Sequence, residues 1–348
     1  NLPIWYTYEQ GSTMKVFLAS AALQDGKATT ETQFFCENGR RKIGGRTIKD
    51  VKSYGTLTLA DVIRVSSNIG ASKMGELLGK DAYYSYLKKF GFGNKTGIDL
   101  PGESGGLLYS PKHWGKIELA TISFGQGVSV TALQLASALS AIANGGYLMK
   151  PHLVKKITGP DGTVIRVNEP EVLNRVLSYA TAASVTRIME RVVEEGTGKR
   201  AAIPGYKVAG KTGTAQIPDP VNGGYYSDRY IASFIGFVPS DDPKLTMVVV
   251  VEAPKKLTHG GSVAAPIFKE IAQKVLFHMG ISPSTNVAGT KIMPDLSGKS
   301  VRDILKWSEE QGVKVRVNGS GFVTGQTPPP GDTIKDGTVC SVEFKQSI

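Results

Sequence analysis

At 348 residues the chain favours two domains, and its composition of 41% hydrophobic and 20% charged residues excludes a disordered chain. Its longest apolar stretch, Met247 to Val251, is far shorter than the ~18 to 20 residues that span a bilayer, so no membrane-spanning segment is predicted. The formal charge of +11 comes from scattered lysines and arginines without an aromatic-interleaved basic stripe, which argues against a nucleic-acid partner.

Helical patterns dominate the first part of the chain. Thr13 to Gln24 carries apolar residues at helical spacing, which predicts that Ser12 lies at a helix N-terminus. Two further helices are predicted at Thr58 to Arg64 and at Asn68 to Leu78. A fourth, from Thr131 to Asn144, begins with the pattern of a capping box.

The period then changes from helical to alternating. Tyr206 to Gln216, Ile231 to Val238 and Leu245 to Val251 are predicted strands, and the last two are joined by a turn rich in Pro and Asp. We expect an antiparallel meander, with the amphipathic helix Ala264 to Met279 packed on it. The fold class is therefore predicted to be α+β.

A stretch rich in Pro, Ser, Asn and Gly divides the chain. Residues 282–290 lack periodicity and are predicted to be a linker between a large domain, 1–281, and a small one, 291–348. The small domain should contain a helix from Ser300 to Gln311. It should also contain two strands, Val313 to Val317 and Val339 to Phe344.

A hydroxyl and an amine stand three residues apart in Ser12-Thr13-Met14-Lys15. On a helix this spacing places both on one face, within reach of each other. A serine hydroxyl becomes a good nucleophile when a base takes its proton, and a lysine with a lowered pKa serves as that base. Taken alone, the motif is better explained as a helix cap beside a solvated lysine.

Two more motifs change that interpretation. Ser66-Ser67-Asn68 offers a hydroxyl and an amide two residues apart, although a cap for the next helix explains it better when the motif is taken alone. Lys211-Thr212-Gly213-Thr214 lies on a predicted strand, where alternation sends Lys211 and Gly213 to one face and the two threonines to the other. Glycine inside a strand is typical of a site where a ligand or another backbone lies close alongside.

The three motifs in this order are the set known for penicillin-binding proteins and class A β-lactamases. Their surroundings, Tyr8 to Lys15, Ser123 to Gly127, Glu195 to Gly198 and Gly205 to Gln216, resemble class B penicillin-binding proteins. The resemblance covers most of residues 1 to 281 and implies the transpeptidase fold, an antiparallel sheet flanked by helices with a helical subdomain. The tail resembles a PASTA module, a small α/β domain, through Met293 to Gly298 and Gly325 to Gly331.

This resemblance implies a D,D-transpeptidase that cross-links peptidoglycan stem peptides through an acyl-enzyme on Ser12 and is acylated by β-lactams. Lys15 is implied as the base, with its charge disfavoured by Lys211. Ser66 would relay a proton to the leaving amine, and Asn68 would bind the substrate amide and orient Lys15.

Substrate binding is implied for the strand motif. Lys211, Thr212, Gly213 and Thr214 would hold the terminal carboxylate, and the backbone N–H groups of Ser12 and Thr214 would form the oxyanion hole. No metal or organic cofactor is implied.

Several alternatives share these residues. A β-lactamase or β-lactam sensor would acylate identically. No segment matches the loop that carries the deacylating glutamate of class A enzymes, although Glu103 and Glu118 are left open as candidates. A D,D-carboxypeptidase, with water as the acceptor, and a non-catalytic divisome scaffold also remain open. For the PASTA module, a docking or spacing role is favoured over binding of peptidoglycan or β-lactam.

The remaining titratable residues have no motif context. His113, His152 and His278 are interpreted as structural, and His259 as a residue of a loop that could border the cleft. Cys36 and Cys340 are far apart and cannot form a CxxC metal site, and a disulfide between them is disfavoured; together they leave the redox compartment undecided.

The family's fold has sheet strands and a pedestal domain before the nucleophile helix, whereas eleven residues precede Ser12 here. The chain is therefore expected to be a fragment, located at the extracytoplasmic face of the bacterial membrane and anchored by an N-terminal segment absent from it. Expected partners are a glycosyltransferase and other division or sporulation proteins. Whether it serves division, elongation or sporulation is left open.

Overall fold

The computed structural model describes residues 1–283, 291–334 and 337–345. Its contacts divide the chain into two compact units, the first comprising Asn1–Ala202 with Lys207–Lys269, and the second Ile203–Tyr206 with the chain from Glu270 onward. Residues 282 and 283 of the predicted linker have no regular structure, and the rest of that linker lies outside the described residues.

More residues of the first unit lie in helices than in strands. The helices are α1 (Leu2–Trp5), α2 (Met14–Gln24), α3 (Leu59–Val65), α4 (Asn68–Leu78), α5 (Lys80–Lys89), α6 (Lys116–Ser123), α7 (Ala132–Ala143), α8 (Tyr179–Glu194) and the part of α9 (Gly260–His278) that precedes Glu270. Short 3₁₀ turns add Gly11–Thr13, Glu37–Gly39, Pro111–His113 and Lys199–Ala201. The predicted helices are all present, and the capping box of α7 is formed by Thr131 and Gln134.

The strands of this unit, in chain order, are β1 (Thr7–Glu9), β2 (Gln33–Phe35), β3 (Arg40–Ile43), β4 (Arg46–Lys49), β5 (Thr56–Thr58), β6 (Ser129–Thr131), β7 (Tyr147–Met149), β8 (Lys156–Thr158), β9 (Val164–Val167), β10 (Val172–Arg175), β11 (Ala209–Pro218), β12 (Tyr225–Val238) and β13 (Leu245–Glu252). All except the last three form two-stranded pairs: β1 with β6, β2 with β5, β3 with β4, β7 with β10 and β8 with β9.

The main sheet has the order β11-β12-β13 and is antiparallel throughout, which confirms the predicted meander. Its register pairs Lys211 with Ile235 and Thr214 with Ala232. The strand β12 begins at Tyr225, six residues before its predicted start, so the β11–β12 hairpin extends well beyond the apolar core. Helix α9 covers the sheet, and the rings of Phe234 and Phe268 are 4.8 Å apart.

Helix α2 occupies the centre of the unit. It packs against α4, α5 and α8, and every residue from Met14 to Ala22 is buried. Phe17 projects from it between Phe90 and Phe92, with ring centroids 5.1 Å from each in edge-to-face contact. Because burial surrounds the whole helix, its first turn is held rigidly.

The second unit is a small α/β fold that agrees with the module expected for the tail. Its elements are β14 (Lys291–Ile292), α10 (Val301–Gln311), β15 (Lys314–Asn318), β16 (Phe322–Thr327), β17 (Thr333–Ile334) and β18 (Val339–Lys345). In its sheet β18 lies between a parallel β15 and an antiparallel β16. Ser300 caps α10 as predicted, whereas β16 was not predicted.

Both cysteines are free and buried, each within a different unit. Over the described residues, no helix is both long and apolar enough to cross a membrane. In the same part of the chain, no three His, Cys, Asp or Glu residues are grouped so that they could hold a metal ion.

Candidate active site

Ser12 lies in the 3₁₀ turn Gly11–Thr13, immediately before α2 rather than on its first turn. The turn is fastened at both sides. Thr13 Oγ1 donates to the carbonyl oxygen of Gln10 at 3.1 Å. Gly11 has a φ of +55°, and a Cβ there would lie 2.5 Å from the carbonyl oxygen of Thr214, so only glycine fits. The Gly11–Thr13 turn, which carries the predicted nucleophile and is called the nucleophile turn below, therefore lies directly against β11.

Lys15 is fully buried and reaches three of the predicted site residues at once. Its Nζ lies 3.0 Å from Ser12 Oγ, 2.7 Å from Asn68 Oδ1 and 3.2 Å from Ser66 Oγ. It also donates to the carbonyl oxygen of Ser66 at 2.6 Å. The first two predicted motifs, more than fifty residues apart in sequence, therefore meet at one amine.

The pattern of acceptors indicates where the lone pair of a neutral Lys15 points. A neutral amine has two N–H groups and one lone pair. The two shortest contacts, to the Ser66 carbonyl and to Asn68 Oδ1, are made to atoms that only accept. Asn68 cannot be reversed, because its Nδ2 donates to the carbonyl oxygen of Lys49 at 3.0 Å. The lone pair is thus left for a hydroxyl proton, from Ser12 or from Ser66.

Burial lowers the pKa of Lys15 to about 7, and the negative charge of Asp50 opposes that shift. The sequence-based expectation attributed the shift to Lys211. Removal of the amine from water is instead the largest cause of the shift, because burial disfavours the charged form. A large fraction of Lys15 is accordingly uncharged near neutral pH.

Lys211 is also fully buried and approaches Ser66 from the opposite side. Its Nζ donates to Ser66 Oγ at 2.9 Å and to the carbonyl oxygen of Thr212 at 3.0 Å. Burial, followed by the charge of Lys15, holds the pKa of Lys211 well below its usual range. The Ser66 hydroxyl therefore bridges two lysines, the position from which a proton could pass between them.

The segment Ser66 to Asn68 is shaped by the helices on either side. Ser66 ends α3 in the left-handed conformation, with φ 65° and ψ 41°, which turns its hydroxyl and its carbonyl toward Lys15. Ser67 is the N-cap of α4 and accepts from the N–H of Gly70. The helix cap is therefore Ser67, while the adjacent Ser66 is the serine whose hydroxyl lies between Lys15 and Lys211.

Asp50 is a residue of this site that sequence reasoning missed. It follows β4, and its carboxylate accepts from Ser67 Oγ at 2.6 Å and from the backbone N–H groups of Asn68 and Ile69 at 2.5 and 3.2 Å. A carboxylate at this helix N-terminus complements the free N–H groups. No local motif marks it, because eighteen residues separate it from Asn68.

Asp50→Asn is expected to shift the acid limb of the acylation pH profile to lower pH. The reason is that the negative charge that raises the pKa of Lys15 disappears. Loss of the charged cap should also reduce the free energy of unfolding by about 1–2 kcal/mol. Acylation rates measured across pH, together with thermal unfolding, test both effects. Asp61→Asn, in the first turn of α3, is the matched control and should leave the profile in place.

The third motif meets the nucleophile turn through Gly213. A Cβ at this glycine would lie 2.8 Å from Thr13 Cγ2 and 2.9 Å from the carbonyl oxygen of Gln10. The close backbone expected beside this glycine is therefore that of the nucleophile turn. The alternation of the strand is also as expected, since Lys211 reaches Ser66 while Thr212 faces Thr197.

The two threonines of this motif already have partners that leave donors available. Thr212 Oγ1 lies 2.7 Å from the hydroxyl of Thr197, which belongs to the Glu195 to Gly198 motif. Thr214 Oγ1 accepts from the backbone N–H of Gly260 at 3.2 Å, so its own proton is free to donate to an anion. Thr197 and Gly260 extend the site beyond the residues predicted for it.

Other candidates from the sequence are engaged elsewhere. The carboxylate of Glu103 accepts from Thr96 and Gly97 and organises a loop. Glu118 lies in the first turn of α6, with Oε2 close to Gly115. His259 Nδ1 lies 3.3 Å from Thr258 Oγ1, next to the Gly260 that contacts Thr214, so its loop borders the site.

Comparison with known families and proteins agrees with this geometry. The family model described as the penicillin binding protein transpeptidase domain matches residues 1–273, and the PASTA domain model matches residues 291–345. Stage V sporulation protein D of Bacillus subtilis is 39% identical over 97% of this chain and 54% of that protein. Penicillin-binding protein PbpB of Mycolicibacterium smegmatis is 38% identical over 77% of this chain and 43% of that protein.

Solved structures give the same result. The transpeptidase domain of Burkholderia pseudomallei penicillin-binding protein 3 is 36% identical and superposes with a TM-score of 0.74, covering 82% of this chain and 83% of that one. Penicillin-binding protein 3 of Mycobacterium tuberculosis, in complex with ampicillin, is 33% identical with a TM-score of 0.76, covering 83% and 66%. The chain spans about half the length of the two curated relatives described above.

Proposed function

Because this chain belongs to the penicillin-binding protein transpeptidase family and carries a PASTA domain at its C-terminal end, we propose that it is a serine D,D-transpeptidase that cross-links peptidoglycan stem peptides. The observation that carries the proposal is the 3.0 Å contact between Ser12 Oγ and the buried Nζ of Lys15. An amine with a pKa of about 7 is a suitable base at neutral pH.

In the first step Ser12 Oγ bonds to the carbonyl carbon between the two terminal D-alanines, and its proton passes to Lys15. The C–N bond then breaks, and the departing D-alanine takes a proton through Ser66, which lies between the two lysines. The ester on Ser12 is the acyl-enzyme. In the second step an amine of another stem peptide attacks the ester, forms the new amide, and returns a proton to Ser12.

Substrate binding is assigned to β11 and the nucleophile turn. The backbone N–H groups of Ser12 and Thr214 would hold the developing oxyanion, and each such donor is typically worth about 2.7–4 kcal/mol. The hydroxyls of Thr212 and Thr214, together with Lys211, would hold the terminal carboxylate. Gly213 supports this assignment, because the strand and the turn lie so close here that a Cβ on Gly213 would be 2.9 Å from the carbonyl oxygen of Gln10.

The setting proposed for the protein follows its family. We place the domain at the extracytoplasmic face of the bacterial membrane, with an anchor outside this chain, and expect it to work with a glycosyltransferase and with division or sporulation proteins. β-Lactams are the second class of ligand, supported by the ampicillin complex of its structural relative.

Mass spectrometry of the intact protein after incubation with benzylpenicillin tests the proposal. We expect one adduct, located on the peptide that contains Ser12, with a lifetime of many minutes. A lifetime of seconds would indicate a β-lactamase instead, and absence of any adduct on folded protein would indicate a non-catalytic scaffold. With a stem-peptide substrate, incorporation of an added D-amino acid separates a transpeptidase from a carboxypeptidase.

A further inference from the structure

A buried carboxylate three residues before the nucleophile has no role in the chemistry proposed above. Glu9 is the last residue of β1 and is only 9% exposed. Burial raises its pKa, while hydrogen bonds from Gly127 and Tyr225 lower it. A carboxylate taken out of water is costly unless partners compensate it, so the identity of those partners indicates what the residue does.

The first partner is on the main sheet. Tyr225 OH donates to Glu9 Oε2 at 2.9 Å and lies 3.2 Å from Oε1, although 216 residues separate the two. Tyr225 is the first residue of β12 and pairs with Pro218, the last residue of β11. Glu9 thus fastens the far end of the β11–β12 hairpin, whose other end carries Lys211 to Thr214.

The second partner is the turn that follows α6. The backbone N–H of Gly127 donates to Glu9 Oε1 at 2.9 Å, and the N–H of Gly11 donates to the carbonyl oxygen of Gly125 at 3.1 Å. Two bonds therefore hold the stretch from Glu9 to Gly11 against the stretch from Gly125 to Gly127. Gly125 is so close to the carbonyl of Gly11 that no side chain would fit. The residue after Gly11 is Ser12.

From this chain of contacts we infer that Glu9 is a positioning residue for Ser12, whose carboxylate ties the end of the β11–β12 hairpin and the Gly125–Gly127 turn to the nucleophile turn. The inference rests on the acylation chemistry proposed above. It differs from a role in stability alone, because two of the three tied segments carry residues assigned to catalysis or to substrate binding.

The test compares tyrosines that are adjacent on the same hairpin. Tyr225→Phe removes only the hydroxyl that reaches Glu9, whereas Tyr226→Phe alters a hydroxyl without that contact and is the matched control. Glu9→Gln keeps the shape of the side chain and removes the charge. For each variant, and for the double variant Glu9→Gln with Tyr225→Phe, stopped-flow measurement with a chromogenic β-lactam separates the acylation rate constant from Kd.

We expect Tyr225→Phe and Glu9→Gln each to lower the acylation rate constant about 10-fold, the effect of losing one hydrogen bond to a charged group. Kd should change less than threefold, and Tyr226→Phe should react like the wild type. The double variant should be no slower than the slower single variant, because both remove the same link.

Three outcomes would overturn the inference while leaving the proposed function intact. These are a Tyr225→Phe variant that acylates at the wild-type rate, losses that multiply in the double variant, and a change confined to Kd. If Glu9→Gln does not fold, comparison of Tyr225→Phe with Tyr226→Phe still tests the inference. Failure of the wild type itself to acylate at Ser12 is a separate result, and it would reject the proposed function.

Discussion

Ser12→Ala is expected to abolish the benzylpenicillin adduct while the protein remains folded. The hydroxyl oxygen is the only atom in the proposed first step that bonds to the substrate carbonyl, so its removal leaves no route to an ester. Because the side chain is partly exposed and makes one hydrogen bond, to Lys15, its loss should change the melting temperature little. Intact-mass measurement after exposure to penicillin gives the result directly.

Ser20→Ala is the matched control on the same stretch of chain. Ser20 is a buried serine of α2 whose hydroxyl donates to the carbonyl oxygen of Val16 rather than to a residue of the site. It should still take up one equivalent of penicillin. A persistent adduct on Ser12→Ala would show that another residue is the nucleophile.

Lys15→Met is expected to slow acylation of Ser12 by about 10³-fold, within the 10²–10⁴-fold range that general bases contribute. Methionine fills a similar volume without an amine. Because Lys15 is fully buried with its charged form disfavoured, removing the amine should not lower the melting temperature by more than a few degrees. The acylation rate constant and thermal unfolding measured on one preparation separate these effects.

The pH dependence of the acylation rate tests whether Lys15 acts in its neutral form. Proton abstraction requires neutral Lys15, so the wild-type rate should fall as the pH drops below about 7, and this limb should vanish in Lys15→Met. Lys15→Arg is the informative companion, because arginine keeps the positive charge and donors but does not lose its proton. Restoration of activity by arginine would contradict the assignment of Lys15 as the base.

Much of the fold was predictable where one strong local signal was enough. The capping box of α7 and the Pro- and Asp-containing turn between β12 and β13 bounded their elements correctly. Helix α8 was missed, although its buried residues Val185, Ile188 and Val192 follow helical spacing. The short pairs, such as β1 with β6, were missed because three residues carry too little periodicity, and tertiary contacts alone select them.

Some residues of the candidate site were predicted from the sequence, and others were recognised only in the structure. The pairing of Ser12 with Lys15 was predicted from three motifs together and from their resemblance to a known family, while Asp50 and Glu9 were given no role. Both act through contacts with residues distant in sequence, Asp50 with Asn68 and Glu9 with Tyr225. The resemblance implied the charge of Lys211 as the cause of the lowered Lys15 pKa, whereas the largest cause is burial, which one motif does not reveal.

Ser66 has a left-handed backbone conformation, and at this position the residue that favours stability differs from the residue that the proposed chemistry needs. For a residue other than glycine this conformation costs roughly 1–2 kcal/mol, so glycine would make the chain more stable at this position. Glycine would also remove the hydroxyl that lies between Lys15 and Lys211. Random mutation screened only for thermal stability should therefore enrich glycine at position 66. The enriched proteins should be thermally stable but inactive in acylation. Directed evolution of a more thermostable enzyme would therefore have to keep serine at position 66 and select stabilising substitutions at other positions.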